Sequence, residues 1–226
     1  MERKERPEET GEWREFGLLL GRHWRKLFQV QLLVLLSACG VVTLPAGIAA
    51  GNRVYSKLLR DKNVLVWPEW KTGFSGSLRE GVPLGAGYFL LLFLGLELTQ
   101  CSLLSLRCLG LLLAFGTLAW GTAGFFLLAV QELPWRKLWK NSLLLLAAEP
   151  KTALALGALW AAGLVFLGTL FPYSLLVLPT GAAGLFQLVS CRILWGPVER
   201  RIIAPCGPSG RARRKPKLIC YGEHSI

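Results

Sequence analysis

The chain has 226 residues, a formal net charge of +12 and 53% hydrophobic residues. Its hydrophobic residues form long runs, and residues 109–130 carry no charge at all. A bilayer core about 30 Å thick needs roughly 20 such residues as helix, and a segment in lipid must pair its own backbone groups. This composition argues against a soluble helical core, and we expect an all-α, polytopic membrane helical bundle.

Residues 1–28 are predicted to be a charged N-terminus followed by an amphipathic interfacial helix. Seven Lys or Arg and six Glu precede residue 28, so we expect no cleavable signal peptide. One apolar stripe recurs at helical steps in Trp13, Phe16, Leu20, Trp24 and Leu27. The stripe is typical of a helix lying in the interface, although it would equally suit an extension of the first span.

Residues 29–199 are predicted to form one transmembrane domain with about five spans. The predicted spans are 29–50, 84–99, 109–130, 152–171 and 173–195. Short connections make antiparallel hairpins of spans two and three and of spans four and five. Glu97 and Arg107 flank the first of these connections, where they are placed to form an ion pair.

An internal repeat is also predicted. A shift of 65 residues places Trp70 on Trp135 and Phe74 on Trp139. Residues 66–130 and 131–195 then form two copies of one unit, and an even number of spans in each copy makes the repeats parallel. With Trp24, these four aromatic residues are predicted to be interfacial anchors, because aromatic rings favour the headgroup layer.

The charge of the loops predicts the orientation. Lys and Arg concentrate in residues 52–82, in residues 131–151 and in the flexible tail, residues 200–226. The positive-inside rule places all three in the cytoplasm, near anionic lipid. With five spans the N-terminus would lie outside despite its seven basic residues, so its side stays open. Nucleic acid is not an expected partner of the tail.

Two apolar runs contain the same helix-breaking signal, "LPAGIAAG" at 44–51 and "LPTGAAG" at 178–184. Paired Pro/Gly breaks in a membrane protein can line a transport pocket, whereas small residues simply let helices approach closely. We prefer the packing interpretation. The candidate residues for either role are Thr43, Pro45, Gly47, Gly51, Pro179, Thr180, Gly181 and Gly184.

The predicted spans offer little chemistry for catalysis. Spans three and four contain no ionisable side chain, and the six cysteines and two histidines show no metal-ligand spacing. We therefore expect no enzymatic activity, no metal and no cofactor.

The stretch "QLLVLLSACGVVTLPAGIAAGNRVYSKLLRDKNVLVWPEWKTGFSGSLREG" resembles the first region of the YesL-like family of bacterial integral membrane proteins. The matching positions are Thr43, Pro45, Ala49, Ala50, Lys57, Arg60, Trp70 and Phe74. The ending "FPYSLLVLPTGAAGLFQLVSCRILWGPVERRI" is also similar, and the resemblance covers residues 15–202. The chain departs from the family at Gln31, where Asn is usual, and in its less regular Thr-x-Gly break.

The resemblance implies a multi-pass protein of the bacterial plasma membrane without an established activity. Members of the family tend to be encoded beside sugar-uptake systems. It therefore implies a non-enzymatic accessory or scaffold role in carbohydrate uptake, with a sugar transporter complex as the partner. The alternative is a small membrane carrier with a pocket between the Pro-broken spans one and five.

Overall fold

The computed structural model describes residues 9–40, 42–61, 64–131, 133–169 and 183–203, and the regular structure in these ranges is helical. The α-helices are α1 (Glu9–Ala38), α2 (Leu44–Asp61), α3 (Val66–Thr99), α4 (Leu104–Val130), α5 (Trp135–Ala148), α6 (Pro150–Thr169) and α7 (Ala183–Val198). A π-helical turn, Glu199–Ile203, follows α7. The predicted all-α class is confirmed for the described residues.

The prediction that residues 29–50 form one span is wrong. Helix α1 ends at Ala38 and α2 begins at Leu44. The two helices pack antiparallel, since Gly47 lies against Ser37 and a Cβ at Gly51 would lie 3.1 Å from a methyl of Val34. The chain therefore turns back on itself as a hairpin at this point.

Pro45 starts a helix instead of kinking one. It stands in the first turn of α2, where the missing N–H of proline would have had no intrahelical partner anyway. The Oγ1 atom of Thr43 lies 2.7 Å from the carbonyl oxygens of both Ser37 and Gly40. The Gly40 carbonyl also accepts from the backbone N–H of Thr43, whereas the Ser37 carbonyl lies in the last turn of α1, where carbonyl groups have no intrahelical partner.

Helices α3 and α4 form a longer antiparallel hairpin. A Cβ at Gly95 of α3 would lie 2.8 Å from the backbone nitrogen of Ala114 in α4, so the two backbones touch. The prediction that span two begins at residue 84 does not describe the whole helix, because α3 begins at Val66. Its charged first half runs along α2, where Lys57 Nζ lies 2.6 Å from Glu69 Oε1.

The second half of the described chain is more bent. Helices α5 and α6 meet at an angle of 103° beside Pro150, whereas α3 continues without a break through the matching part of the predicted repeat. Helices α6 and α7 are antiparallel, since Gly163 lies near Phe186 and Arg201 Nη2 lies 3.1 Å from Glu149 Oε1. The buried core lies mainly where α2, α3, α4 and α7 meet.

Two described helices, α3 and α4, are each long and apolar enough to cross a membrane. The bent pair α5 and α6 provides a third crossing if the pair counts as one span. These helices support a membrane protein. The five predicted spans and the parallel repeat remain predictions.

We expect Gly47→Ala to destabilise the protein by about 1–3 kcal/mol, the usual cost of overpacking. The new methyl carbon would lie 2.6 Å from the Cβ of Ser37, an atom that no rotamer change can move away. Thermal unfolding in detergent, followed by circular dichroism, measures the effect.

Gly76→Ala is the matched control, because a Cβ at Gly76 of α3 meets nothing within 4 Å. It should leave stability unchanged or raise it by up to about 1 kcal/mol through better helix propensity. Equal melting temperatures for the two variants would contradict the close packing of the α1–α2 hairpin.

Candidate functional site

A cavity of about 380 Å³ lies among α1, α2, α3, α4, α6 and the start of α7. Its walls are mostly apolar. Representative wall residues from α2, α3 and α4 are Leu44, Ile48, Phe89, Leu92, Leu118 and Phe125. The volume falls within the range of about 300–1,000 Å³ that is usual for small-molecule sites, so the cavity is the candidate functional site.

One side of the cavity holds a hydrogen-bonded amide pair. Gln187 of α7 donates from Nε2 to Asn52 Oδ1 and to the carbonyl oxygen of Ile48, both at 3.0 Å. The thiol of Cys191 lies 3.3 Å from the same Asn52 oxygen. Because polar groups inside an apolar environment are costly unless paired, these bonds hold α7 and α2 together at the cavity wall.

Two further polar groups of the wall have no protein partner. Gln31 of α1 is only 5% exposed, and its Oε1 has no hydrogen bond in the structure. Trp160 of α6 likewise leaves its Nε1 without an acceptor. By contrast, Thr117 and Thr122 donate to carbonyl oxygens within α4, each at 2.7 Å. Both unpartnered atoms are buried within the wall itself, so the surface that faces the cavity is almost entirely apolar.

An aromatic cluster supports the wall at Tyr88. The Tyr88 ring stacks on Trp139 with centroids 5.4 Å apart and meets Trp120 edge-on at 5.3 Å. Ser142 joins the cluster, since Trp120 Nε1 donates to its Oγ at 2.7 Å and the Tyr88 hydroxyl lies 3.2 Å from it. Helix α5 is thereby fixed against α3 and α4, and Tyr88 is held in place beside the cavity.

The described residues of the two predicted Pro/Gly breaks lie close to this cavity. Pro45 packs on Gly85 of α3, and Gly47 and Gly51 pack against α1. A Cβ at Gly184 would lie 2.8 Å from the Tyr55 hydroxyl. Pro179, Thr180 and Gly181 lie outside the described residues.

Residues of both segments line the cavity. Leu44 and Ile48 belong to the first segment, Ala183 belongs to the second, and Gln187 follows the second. The two segments that the sequence singles out therefore contribute to one site.

The predicted interfacial anchors have different surroundings. Trp24 is 46% exposed, whereas Trp70 is 7% exposed and stacks on Phe74 with centroids 4.8 Å apart. Trp139 belongs to the aromatic cluster, and the backbone N–H of Trp135 donates to Glu80 Oε2 at 2.8 Å. Of these five, Trp24 is the one whose ring is largely uncovered by protein.

Glu97 and Arg107, both among the described residues, do not form the predicted ion pair. Arg107 instead donates from Nε to the carbonyl oxygen of Thr99 at 3.1 Å. The same described ranges contain no group of three or more His, Cys, Asp or Glu side chains placed to hold a metal ion.

The polar residues of the cavity wall are not among the predicted site residues. Asn52, Trp160 and Gln187 carry no charge, and Gln31 differs from the family pattern only as glutamine in place of asparagine. Gln31 and Gln187 interrupt apolar runs, and this is the sequence signal that points to them, because the burial of a neutral polar group is also costly.

Comparisons with protein-family models, with curated proteins and with solved structures find no match to this chain.

Proposed function

We propose that the chain is a multi-pass membrane protein that binds a small, largely apolar molecule in this cavity and catalyses no reaction on it. The observation that carries the proposal is the cavity itself, which has molecular size and apolar walls. Its polar side chains carry no charge, and most of them are hydrogen-bonded within the protein, so the apolar walls supply most of the contact with a ligand.

The position of the cavity beside uncharged stretches of α3 and α4 supports entry of a ligand from the bilayer. Tyr88, Phe89 and Leu92 of its wall belong to residues 81–96, which carry no charge. On the other side, Leu118 and Phe125 belong to residues 108–130, which are also uncharged. The cavity therefore lies beside the two stretches best suited to hydrocarbon, where an apolar ligand is already concentrated.

We further propose that the α1–α2 hairpin enters the membrane and returns to the same side. Its uncharged arms, residues 27–38 and 44–52, are about 18 and 14 Å long as helix. Neither arm can cross a hydrocarbon core of about 30 Å. Pro45 at the start of α2 contacts Gly85, only one helical turn into the uncharged part of α3.

This arrangement puts the basic segments of the described residues on one side. The start of α1 and the end of α2 lie on the entry side of α3, and α4 returns the chain to that side before α5 begins. The Glu149–Arg201 contact brings the start of α6 and the end of the described chain together. The Lys- and Arg-rich segments of the described residues then satisfy the positive-inside rule, including the basic first half of α1, for which five spans give a conflict.

The sequence resemblance to YesL-like proteins supports a second proposal, an accessory role beside a carbohydrate uptake system of the bacterial plasma membrane. The apolar walls fit a lipid-like ligand better than a sugar, so the sugar would be handled by the partner complex. Co-purification of a sugar permease with the chain in mild detergent would support this role. Repeated recovery of the chain without such a partner would contradict it.

We expect Cys101 but not Cys39 to react with a membrane-impermeant maleimide added outside intact cells. Cys39 follows the end of α1 at the hairpin tip, and Cys101 lies in the turn between α3 and α4. In the proposed arrangement only the second turn reaches the outer face. Variants that retain one of these cysteines, with the others replaced by serine, allow each thiol to be measured separately.

The control for this labelling is the same pair of variants in detergent. Both thiols should react there, because Cys39 is exposed and Cys101 partly exposed in the protein. Equal labelling of Cys39 and Cys101 from outside would show that α1 and α2 each cross the bilayer.

We expect Leu118→Trp to reduce labelling of the cavity by a photoreactive hydrocarbon in reconstituted vesicles at least several-fold. Leu118 lines the cavity, and a larger ring at this position occupies part of the volume that a ligand needs. Leu111→Trp is the matched control, because Leu111 is an exposed leucine of the same helix. If both variants label like the parent protein, the cavity does not bind the probe.

A further inference from the structure

We propose that the cavity holds the end of one acyl chain of an anionic phospholipid, whose head group lies at the basic end of α1. The lipid belongs to the inner leaflet, on the side of the basic segments. The inference rests on the proposed function, since it names the chemical class of the ligand and the route by which it enters the same cavity. Two features carry it, the position of the cavity mouth and the exposed cationic side chains about one leaflet away from that mouth.

The cavity opens sideways between α1 and α3. Leu35 of α1 is 43% exposed and Phe89 of α3 is 40% exposed, and these two are the most exposed residues of the described wall. Both belong to uncharged stretches that the proposed arrangement places in the hydrocarbon core. The mouth therefore faces the fatty chains of the bilayer, and the end of a chain can enter the cavity without passing through water.

An exposed apolar stripe on α1 leads to this mouth. Trp24, Phe28 and Leu35 recur at steps of four and seven residues, so they share one face of the helix, and all three side chains are exposed. The rise from Trp24 to Leu35 is about 17 Å as helix. One leaflet contributes about half of the hydrocarbon core, or roughly 15 Å. A phospholipid whose head group lies beside Trp24 therefore has the end of its chain at the mouth.

The basic end of α1 lies at the level of such a head group. Arg22 and Arg25 are exposed and Lys26 is partly exposed, and none of them has a carboxylate partner among the described residues. Helix α1 departs from helical geometry at His23 (φ −113°, ψ 17°), so it bends at this level. Partial burial and the positive charges of Lys26 and Arg22 lower the pKa of His23. This short segment therefore carries a positive potential that attracts the phosphate of an anionic lipid.

The size of the cavity fits part of one chain. A cavity of about 150 Å³ holds a benzene ring, so a cavity of about 380 Å³ has room for roughly 15 carbon atoms. This is enough for the terminal half of an acyl chain and too little for a whole phospholipid with two chains. The head group and the first half of the chain then lie along the α1 stripe, and the end of the chain lies against Leu92, Leu118 and Phe125.

The test uses the full chain in phosphatidylcholine vesicles with a photoreactive phospholipid that carries a diazirine at the end of one acyl chain. One probe has a phosphatidylglycerol head group, and a second probe with the same chains has a phosphatidylcholine head group. Cross-links at Thr117, Gly121 and Phe125 are diagnostic, because these wall residues are buried and out of reach of bulk lipid. The phosphatidylglycerol probe should label them at least about fivefold more, the factor by which one nearby cation favours an anionic lipid.

Charge variants separate this site from a general attraction to an anionic surface. The double variant Arg22→Gln with Arg25→Gln should remove most of the preference for phosphatidylglycerol at the diagnostic positions. The double variant Lys140→Gln with Lys151→Gln is the matched control, because it removes the same charge from exposed lysines of α5 and α6. The control should keep the preference.

A variant at the mouth tests the route. Leu35→Trp should reduce labelling of the diagnostic positions by the phosphatidylglycerol probe several-fold, because the larger ring narrows the opening. Leu32→Trp is the matched control, since Leu32 is an exposed leucine of the same helix that does not line the cavity. Circular dichroism of each variant confirms its helix content, and the charge variants keep the inference testable if Leu35→Trp fails to fold.

The outcomes separate this inference from the proposed function. If a photoreactive hydrocarbon labels the diagnostic positions and neither phospholipid probe does, the phospholipid assignment is overturned while the cavity remains an apolar binding site. Equal labelling by the two phospholipid probes, or an unchanged preference in the α1 charge variant, overturns it as well. If no probe labels these positions at all, the proposed function itself fails.

Discussion

The contact of Pro45 with Gly85 determines how the first two helices sit on the rest of the molecule. Glycine at position 85 lets the start of α2 reach the backbone of α3, and any side chain there would hold the hairpin away. Because α3 runs through the protein as one long helix, this contact places the hairpin tip partway along it. The tip then forms one wall of the cavity, and its contact with Gly85 defines the point along α3 at which the chain turns back.

The same close packing explains why the buried polar groups are distributed as they are. Small residues let the helices approach closely. A Cβ at Gly51 would lie 3.4 Å from Gln187 Nε2, so glycine at this position leaves room for Gln187 of α7 to reach Asn52 of α2. In an apolar surrounding such a pair is worth keeping only when its bonds are made. Gln31 Oε1 and Trp160 Nε1 are buried in the same wall without protein partners, so the wall contains both satisfied and unsatisfied polar groups behind an apolar surface.

In helix α5, an aromatic residue that the sequence predicts to be an interfacial anchor packs against other helices of the protein. The aromatic and basic residues of this segment are typical of a membrane interface, and in the structure Trp139 is packed with Tyr88 and Trp120. The carboxylate of Glu80 accepts from the first N–H of α5, where negative charge is favourable at a helix N-terminus. These contacts hold α5 at a sharp angle to α6 and give the second half of the chain a shape unlike the straight helix α3.

The sequence by itself determined the helical class and the membrane character, because long uncharged runs permit few other structures. It also singled out the two Pro/Gly segments, since such breaks are visible as composition, and the structure places Leu44, Ile48 and Ala183 of these segments at the cavity. Only the tertiary structure decided that residues 29–50 form a hairpin, because proline is compatible both with a kinked helix and with the first turn of a new one. The pairing of Asn52 with Gln187, and the lack of partners at Gln31 and Trp160, likewise depended on which faces of distant helices meet, and local sequence does not contain that information.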